Sequence, residues 1–146
     1  MVCTFFGHRQ IQKKIEPILR STLIDLIENH EVYLFYVGTH GDFDRMVVRV
    51  LNDLSVRYPI SFFVVLAYLP ERCSHITRTD DPDTIFPEGI ETVPKRFAIS
   101  YRNKWMIQQS DYVVTYVVDP VGSGAAQFKA LAVKQGKRII ELADAL

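Results

Sequence analysis

The chain alternates short, unbroken apolar runs with stretches in which apolar residues recur every three or four positions. Residues 2–6 form a first run, Val32–Val37 a second and Ile60–Leu69 a third. Runs of this length, apolar on both faces, are read as buried strands. Between them, Ile11, Ile15, Ile18, Leu19, Leu23, Leu26 and Ile27 fall on one face of a helix over 11–29. Pro17 lies inside that stretch, so the continuous helix begins near it. Phe43, Val47, Val50, Leu51 and Leu54 mark a second helix, which ends before Tyr58-Pro59 because the residue ahead of a proline disfavours the helical region. A helix over 97–110, a strand Tyr112–Val118, a helix over 124–135 and a strand Arg138–Leu142 complete the pattern.

Strands alternating with helices predict an α/β fold: a Rossmann-like three-layer sandwich with a mostly parallel sheet of about five strands. Right-handed crossovers are expected. The predicted strand order is 3-2-1-4-5, which places a switch point between the first and fourth strands. A length of 146 residues suits a single domain over 1–146. One irregular insertion interrupts it at about 70–96, holding four of the seven prolines and a dense cluster of charges. A stretch that long without regular structure is uncommon in a compact domain unless it is functional or disordered. It leaves the third strand at the edge where ligands bind, so it is expected to fold over a site or to build an oligomer contact.

Composition narrows the function classes. Hydrophobic residues at 48% and charged residues at 23% exclude a disordered or low-complexity chain. Seventeen basic residues balance seventeen acidic ones, which weighs against strong nucleic-acid binding. Cys3 and Cys73 form no CxxC and no cluster with histidine, so neither a metal site nor a disulfide framework is expected. The longest apolar run, Phe62 to Leu69, is far short of the ~18 residues of a membrane span. The N-terminus reads as a strand rather than a signal peptide. These features predict a soluble cytoplasmic protein with no membrane partner.

In an open parallel sheet, ligands bind beyond the carboxyl ends of the strands, near the switch point. The loop at the carboxyl end of each strand is therefore informative. The first strand leads into Gly7-His8-Arg9, the second into Gly38-Thr39-His40-Gly41-Asp42-Phe43-Asp44, and the fourth into Asp119-Pro120-Val121-Gly122-Ser123-Gly124. These three loops hold five of the seven glycines. Glycine permits close approach of backbone to a ligand. Two of the loops open helices, whose first N–H groups and dipole favour an anion. That contribution is about 0.3–1 kcal/mol each, while a micromolar ligand needs about 8 kcal/mol. Arg9 or Arg102 on a phosphate, together with burial of a base or sugar, would have to supply the remainder. No GxGxxG follows the first strand, no GxxxxGK[ST] occurs, and Ser123 lacks a GxSxG setting. A standard NAD site, a P-loop and a serine hydrolase are thereby disfavoured.

The ordered set of motifs resembles the SLOG superfamily, which unites Smf-type DNA-processing proteins, Lonely-Guy (LOG) phosphoribohydrolases and small bacterial proteins. The small bacterial members are most similar. Phe5-Phe6-Gly7-His8-Arg9 resembles their first strand end, and Gly38 to Asp44 their Gly-rich turn. Arg102-Asn103-Lys104-Trp105-Met106 with Ser110-Asp111 resembles their helix motif, and Gly122-Ser123-Gly124-Ala125 their closing turn. The resemblance implies a Rossmann-like fold that binds a nucleotide or a nucleotide-derived ligand. It needs no further cofactor and suggests a homo-oligomer. LOG enzymes cleave an N-glycosidic bond with an arginine and a glutamate. The arginine corresponds to Arg102, but the lysine after it is Asn103, and the two glutamates fall at Gln127 and Phe128. An amide cannot act as a general acid or base, so the resemblance points to binding, as in a sensor, rather than hydrolysis.

The expected ligand or phosphate contacts are Gly7, His8, Arg9, Gly38, Thr39, His40, Asp44, Arg102, Asn103, Gly122, Ser123, Gly124 and Gln127. Were catalysis retained, Arg102 would be the electrostatic helper, with Asp44 or Asp119 as the acid. A LOG-like nucleoside-monophosphate hydrolase is the first alternative and a single-stranded-DNA-handling protein the second. Asp44 also suits the start of a helix, and Tyr101, Trp105 and Tyr116 suit core or interface positions.

Overall fold

The computed structural model describes residues 1–39, 41–68, 83–118 and 123–145. Its strands are β1 (Val2–Gly7), β2 (Leu34–Val37), β3 (Ser61–Val65), β4 (Thr84–Ile85), β5 (Tyr112–Tyr116) and β6 (Arg138–Glu141). Its α-helices are α1 (Ile15–Asn29), α2 (Gly41–Arg57), α3 (Lys95–Gln109) and α4 (Gly124–Lys134). All strand pairs are parallel, in the order β4-β3-β2-β1-β5-β6. The five strands predicted from the sequence keep the order 3-2-1-4-5. The sixth is the two-residue edge β4, which lies inside the stretch expected to be irregular. It is stitched to β3 by the Val64 and Leu66 N–H groups, which donate to Asp83 and Ile85 carbonyls. Two residues are too short to produce an alternating pattern, so periodicity could not reveal it.

Sequence logic places each helix. Pro17 is the third residue of α1, where its missing N–H removes no intrahelical bond. In α2, Phe43, Met46, Val47, Val50, Leu51 and Leu54 form one buried stripe. The helices α1 and α2 pack together on one face of the sheet, and α3 and α4 on the other. The chain runs one way from β1 to β3 and the other way from β5 to β6. Right-handed crossovers then put the two helix pairs on opposite faces. Along β1, Cys3 and Phe5 face the α1–α2 core, while Phe6 faces α3 and α4.

Two strands end earlier than their apolar runs suggest. Past Val65, Ala67 turns out of the sheet into a small cluster with Ile90 and Ala98. β5 stops at Tyr116 because its neighbours stop there: Gly7, opposite Tyr116, ends β1, and Glu141, opposite Thr115, ends β6. Residues 69–82, within the predicted 70–96 insertion, lie outside the described residues. Among the described residues, no helix is long and apolar enough to cross a membrane.

Candidate functional site

The switch point between β1 and β5 opens into a cavity of about 410 Å³ at the carboxyl edge of the sheet. Gly7, His8 and Arg9 bring β1 into its wall, Gly38 brings β2, and Asp44 brings the first turn of α2. Arg102 and Asn103 line it from α3, and Ser123 and Gly124 from the start of α4. Thr39 reaches the site through Arg102, whose Nη1 donates to its hydroxyl over 3.0 Å. Gln127 is exposed on α4 and outside the lining; the helical turn brings Phe128 to the cavity instead. His40, Asp119 and Gly122 lie outside the described residues.

Arg102 is the decisive side chain. It occupies a position on the buried stripe of α3, between Ala98 and Met106, and is only 2% exposed. Its Nε donates to Asn103 Oδ1 over 2.9 Å, and Nη1 also donates to the Val65 carbonyl over 3.2 Å. The guanidinium thus ties the ends of β2 and β3 to α3. Burial pulls its pKa down, and the charge of Asp44 opposes that pull. A buried cation at the wall of a cavity is a site for negative charge.

The glycines divide by cause. A Cβ on Gly7 would lie 2.3 Å from the Phe43 ring. On Gly38 it would come within 3.0 Å of Asp44 Oδ2 and 3.5 Å of the Arg102 guanidinium. Gly41 has φ +91° and passes within 2.5 Å, measured from its missing Cβ, of the Arg9 backbone. Beside it, the Asp42 N–H donates to the Arg9 carbonyl over 2.7 Å. These three glycines let the protein's own groups converge. Gly124 differs: among the described residues, a Cβ there would meet nothing within 4 Å beyond its chain neighbours and its own helix. It faces open space at the cavity.

Ser123 is the N-cap of α4, and its Oγ accepts from the Ala126 N–H over 3.1 Å. The Gly124 and Ala125 amides, in the first turn, have no intrahelical acceptor by helix geometry, and both residues line the cavity. His8 turns its Nε2 to the Val118 N–H at 2.9 Å, with its ring edge-on to Tyr116. The remaining wall is apolar and was not singled out from the sequence as binding surface. Phe6 and Phe128 stack there at 5.5 Å, beside Ile99 and Met106. Their signal was present, since Phe6 is the next-to-last residue of β1 and Phe128 begins the second turn of α4. In a sequence, however, core and pocket aromatics look alike.

No family model and no curated protein matches the chain. Among the described residues, no three His, Cys, Asp or Glu side chains are grouped to hold a metal ion. The walls of the site define its chemistry. It offers one buried cation, a second cation at Arg9, a helix start, one carboxylate among the described lining residues and an aromatic floor.

Proposed function

We propose that the chain binds a nucleotide or nucleotide-derived ligand at the carboxyl edge of the sheet and senses it rather than transforming it. The observation that carries this reading is the buried Arg102 guanidinium in the cavity wall, with the first turn of α4 bordering the same space. A ligand phosphate would add a second negative group beside a guanidinium already bonded to Asn103, Thr39 and Val65 and acted on by Asp44, and would meet the α4 amides, as anions do at helix starts. A base would bury its faces against Phe6, Phe128 and Met106. A charge-assisted hydrogen bond is worth roughly 1.5–3 kcal/mol and a helix start roughly 0.3–1 kcal/mol. Burying about 150 Å² of base at ~25 cal/mol/Å² adds about 4 kcal/mol. Together these approach the ~8 kcal/mol of a micromolar complex.

The hydrolase reading would rest on Asp44, the carboxylate among the described lining residues. Gln127 and Phe128 supply no carboxyl group. Titrating the protein with adenosine 5′-monophosphate and the other nucleoside monophosphates, by calorimetry and thermal shift, tests the proposal. Saturable binding of one of them, with no free base released, is the expected result. No binding at millimolar concentration would overturn it, and Arg102-dependent release of free base would replace sensing with catalysis.

A further inference from the structure

Beyond Tyr116 the chain leaving β5 has no strand beside it among the described residues, and its next backbone N–H groups find other acceptors. Two side chains take them in succession. The Val117 N–H donates to the Glu141 carboxylate, 3.0 Å from Oε2 and 3.2 Å from Oε1. The Val118 N–H donates to His8 Nε2 over 2.9 Å. The Glu141 side chain is only 6% exposed and also accepts from Thr115 Oγ1, Lys129 Nζ and the Ala143 N–H, at 2.9, 2.8 and 3.0 Å. Its carboxylate therefore joins the end of β5 to the body of α4. His8 joins the same end of β5 to the end of β1 and lines the cavity.

We infer that His8 and Glu141 are positioning residues that clamp the end of β5 and so set the start of α4, Ser123 and Gly124, against the Gly7–Arg9 wall of the cavity. His8 acts here as a hydrogen-bond acceptor through Nε2, with its ring proton on Nδ1, and not as a cationic anchor for a phosphate. Glu141 acts through its charge, which holds Lys129 and two backbone amides at once. The consequence for ligand affinity rests on the binding reading above; the positional claim does not.

The test uses His8→Gln and His8→Lys in the full chain. Glutamine carries a carbonyl oxygen at about the reach of Nε2 and can accept from Val118; lysine offers only donors. In the ligand-free protein, His8→Lys is expected to speed Val118 amide hydrogen exchange at least tenfold and to move the Gly124 amide resonance. His8→Gln should return both to near wild type, with both variants melting cooperatively. Adenosine 5′-monophosphate affinity should follow the same order, weakened at least fivefold by lysine and less than twofold by glutamine. Lysine adds a positive charge, so direct phosphate contact by residue 8 predicts the opposite order, and that result would overturn the inference. Equal Val118 protection in His8→Lys and wild type would overturn it as well, whatever the nucleotide titration shows. Glu141→Gln gives an independent check: the Val117 amide should exchange faster and the Gly124 resonance should move the same way. A Gly124 resonance indifferent to both substitutions would sink the link from clamp to helix start.

Discussion

On the face covered by α1 and α2, the strands meet an unbroken apolar layer. On the face covered by α3 and α4, the same strands meet a smaller apolar cluster, a buried arginine and a cavity. Among the described residues, the first core joins nineteen buried apolar side chains and the second seven. Leu19, Leu23, Leu26, Val47, Leu51 and Leu54 are wholly buried on the first side. On the second side the stripe of α3 reads Ala98, Arg102, Asn103, Met106, Ile107, so two of its five buried positions are polar. A parallel sheet needs cover on both faces, but the two covers need not contribute equally. Here one side holds most of the apolar core, while the other gives up packing to expose polar groups at the strand ends.

The largest effect that could break this contrast is a cavity-forming substitution on each side. Leu51→Ala removes a fully buried side chain from the closed layer and should cost about 2–5 kcal/mol of unfolding free energy. Met106→Ala removes a side chain that borders existing empty space, where part of the packing is already absent. It should cost at least ~1 kcal/mol less than Leu51→Ala in the same denaturant titration. Equal losses would show that the α3–α4 side carries as much of the core as the other.

Arg102→Met comes next. The substitution keeps similar bulk and removes the charge, leaving the Val65 carbonyl and Thr39 hydroxyl without that donor. The stability cost should be about 1–3 kcal/mol, moderated by relief of the buried charge. Adenosine 5′-monophosphate affinity should fall roughly ten- to hundredfold, the worth of a charged hydrogen bond. Loss of stability with full affinity would make Arg102 a strut and not part of the site.

A smaller, pH-dependent effect belongs to Glu141. Burial acts to raise its pKa, but hydrogen bonds from Lys129, Ala143, Val117 and Thr115 outweigh it, and the net shift is downward. A carboxyl whose folded pKa is depressed adds stability above its unfolded value, about 4.3. That stability is lost as pH falls through the folded pKa. The gap in unfolding free energy between wild type and Glu141→Gln should therefore be constant above about pH 6 and narrow below about pH 4. A gap that widens with acid would reverse the sign of the assignment.

Much of this arrangement was legible in the sequence, and the failures are instructive. The elements, their approximate limits and the sheet edge where a candidate site was sought follow from apolar periodicity and the positions of Pro17, Pro59 and the loop glycines, whereas the strand order 3-2-1-4-5 was a choice among orders that periodicity does not distinguish. The cause of each glycine did not follow. Gly7 and Gly38 read as ligand cradle, yet Phe43, Asp44 and Arg102 occupy the room that their side chains would need. A sequence records that a Cβ is absent but not what stands where it would be. Gln127 lies outside the cavity lining for a different reason. Its neighbour Phe128 takes the inward position, and one residue along a helix is a turn of about 100°. The apolar floor was hidden because Phe6 and Met106 serve the core and the cavity together.

Gly124 offers the smallest expected effect on stability and the sharpest cut between the two faces. Its backbone is helical, and among the described residues an added Cβ meets no atom within 4 Å beyond its chain neighbours and its own helix backbone. Gly124→Leu should therefore leave the fold intact, shifting unfolding free energy by no more than about 0.5–1 kcal/mol. That shift could be stabilising, because leucine favours a helix more than glycine does. The same side chain would project into the space beside the α4 amides, where a phosphate would sit. Nucleotide affinity should fall by at least a hundredfold while the melting temperature holds. Gly7→Leu, by contrast, would drive into Phe43 and unsettle the α1–α2 core directly, so its loss of binding would say nothing about the site. If Gly124→Leu binds as tightly as wild type, the ligand does not approach the start of α4, and the cavity's use would have to be sought along its aromatic wall instead.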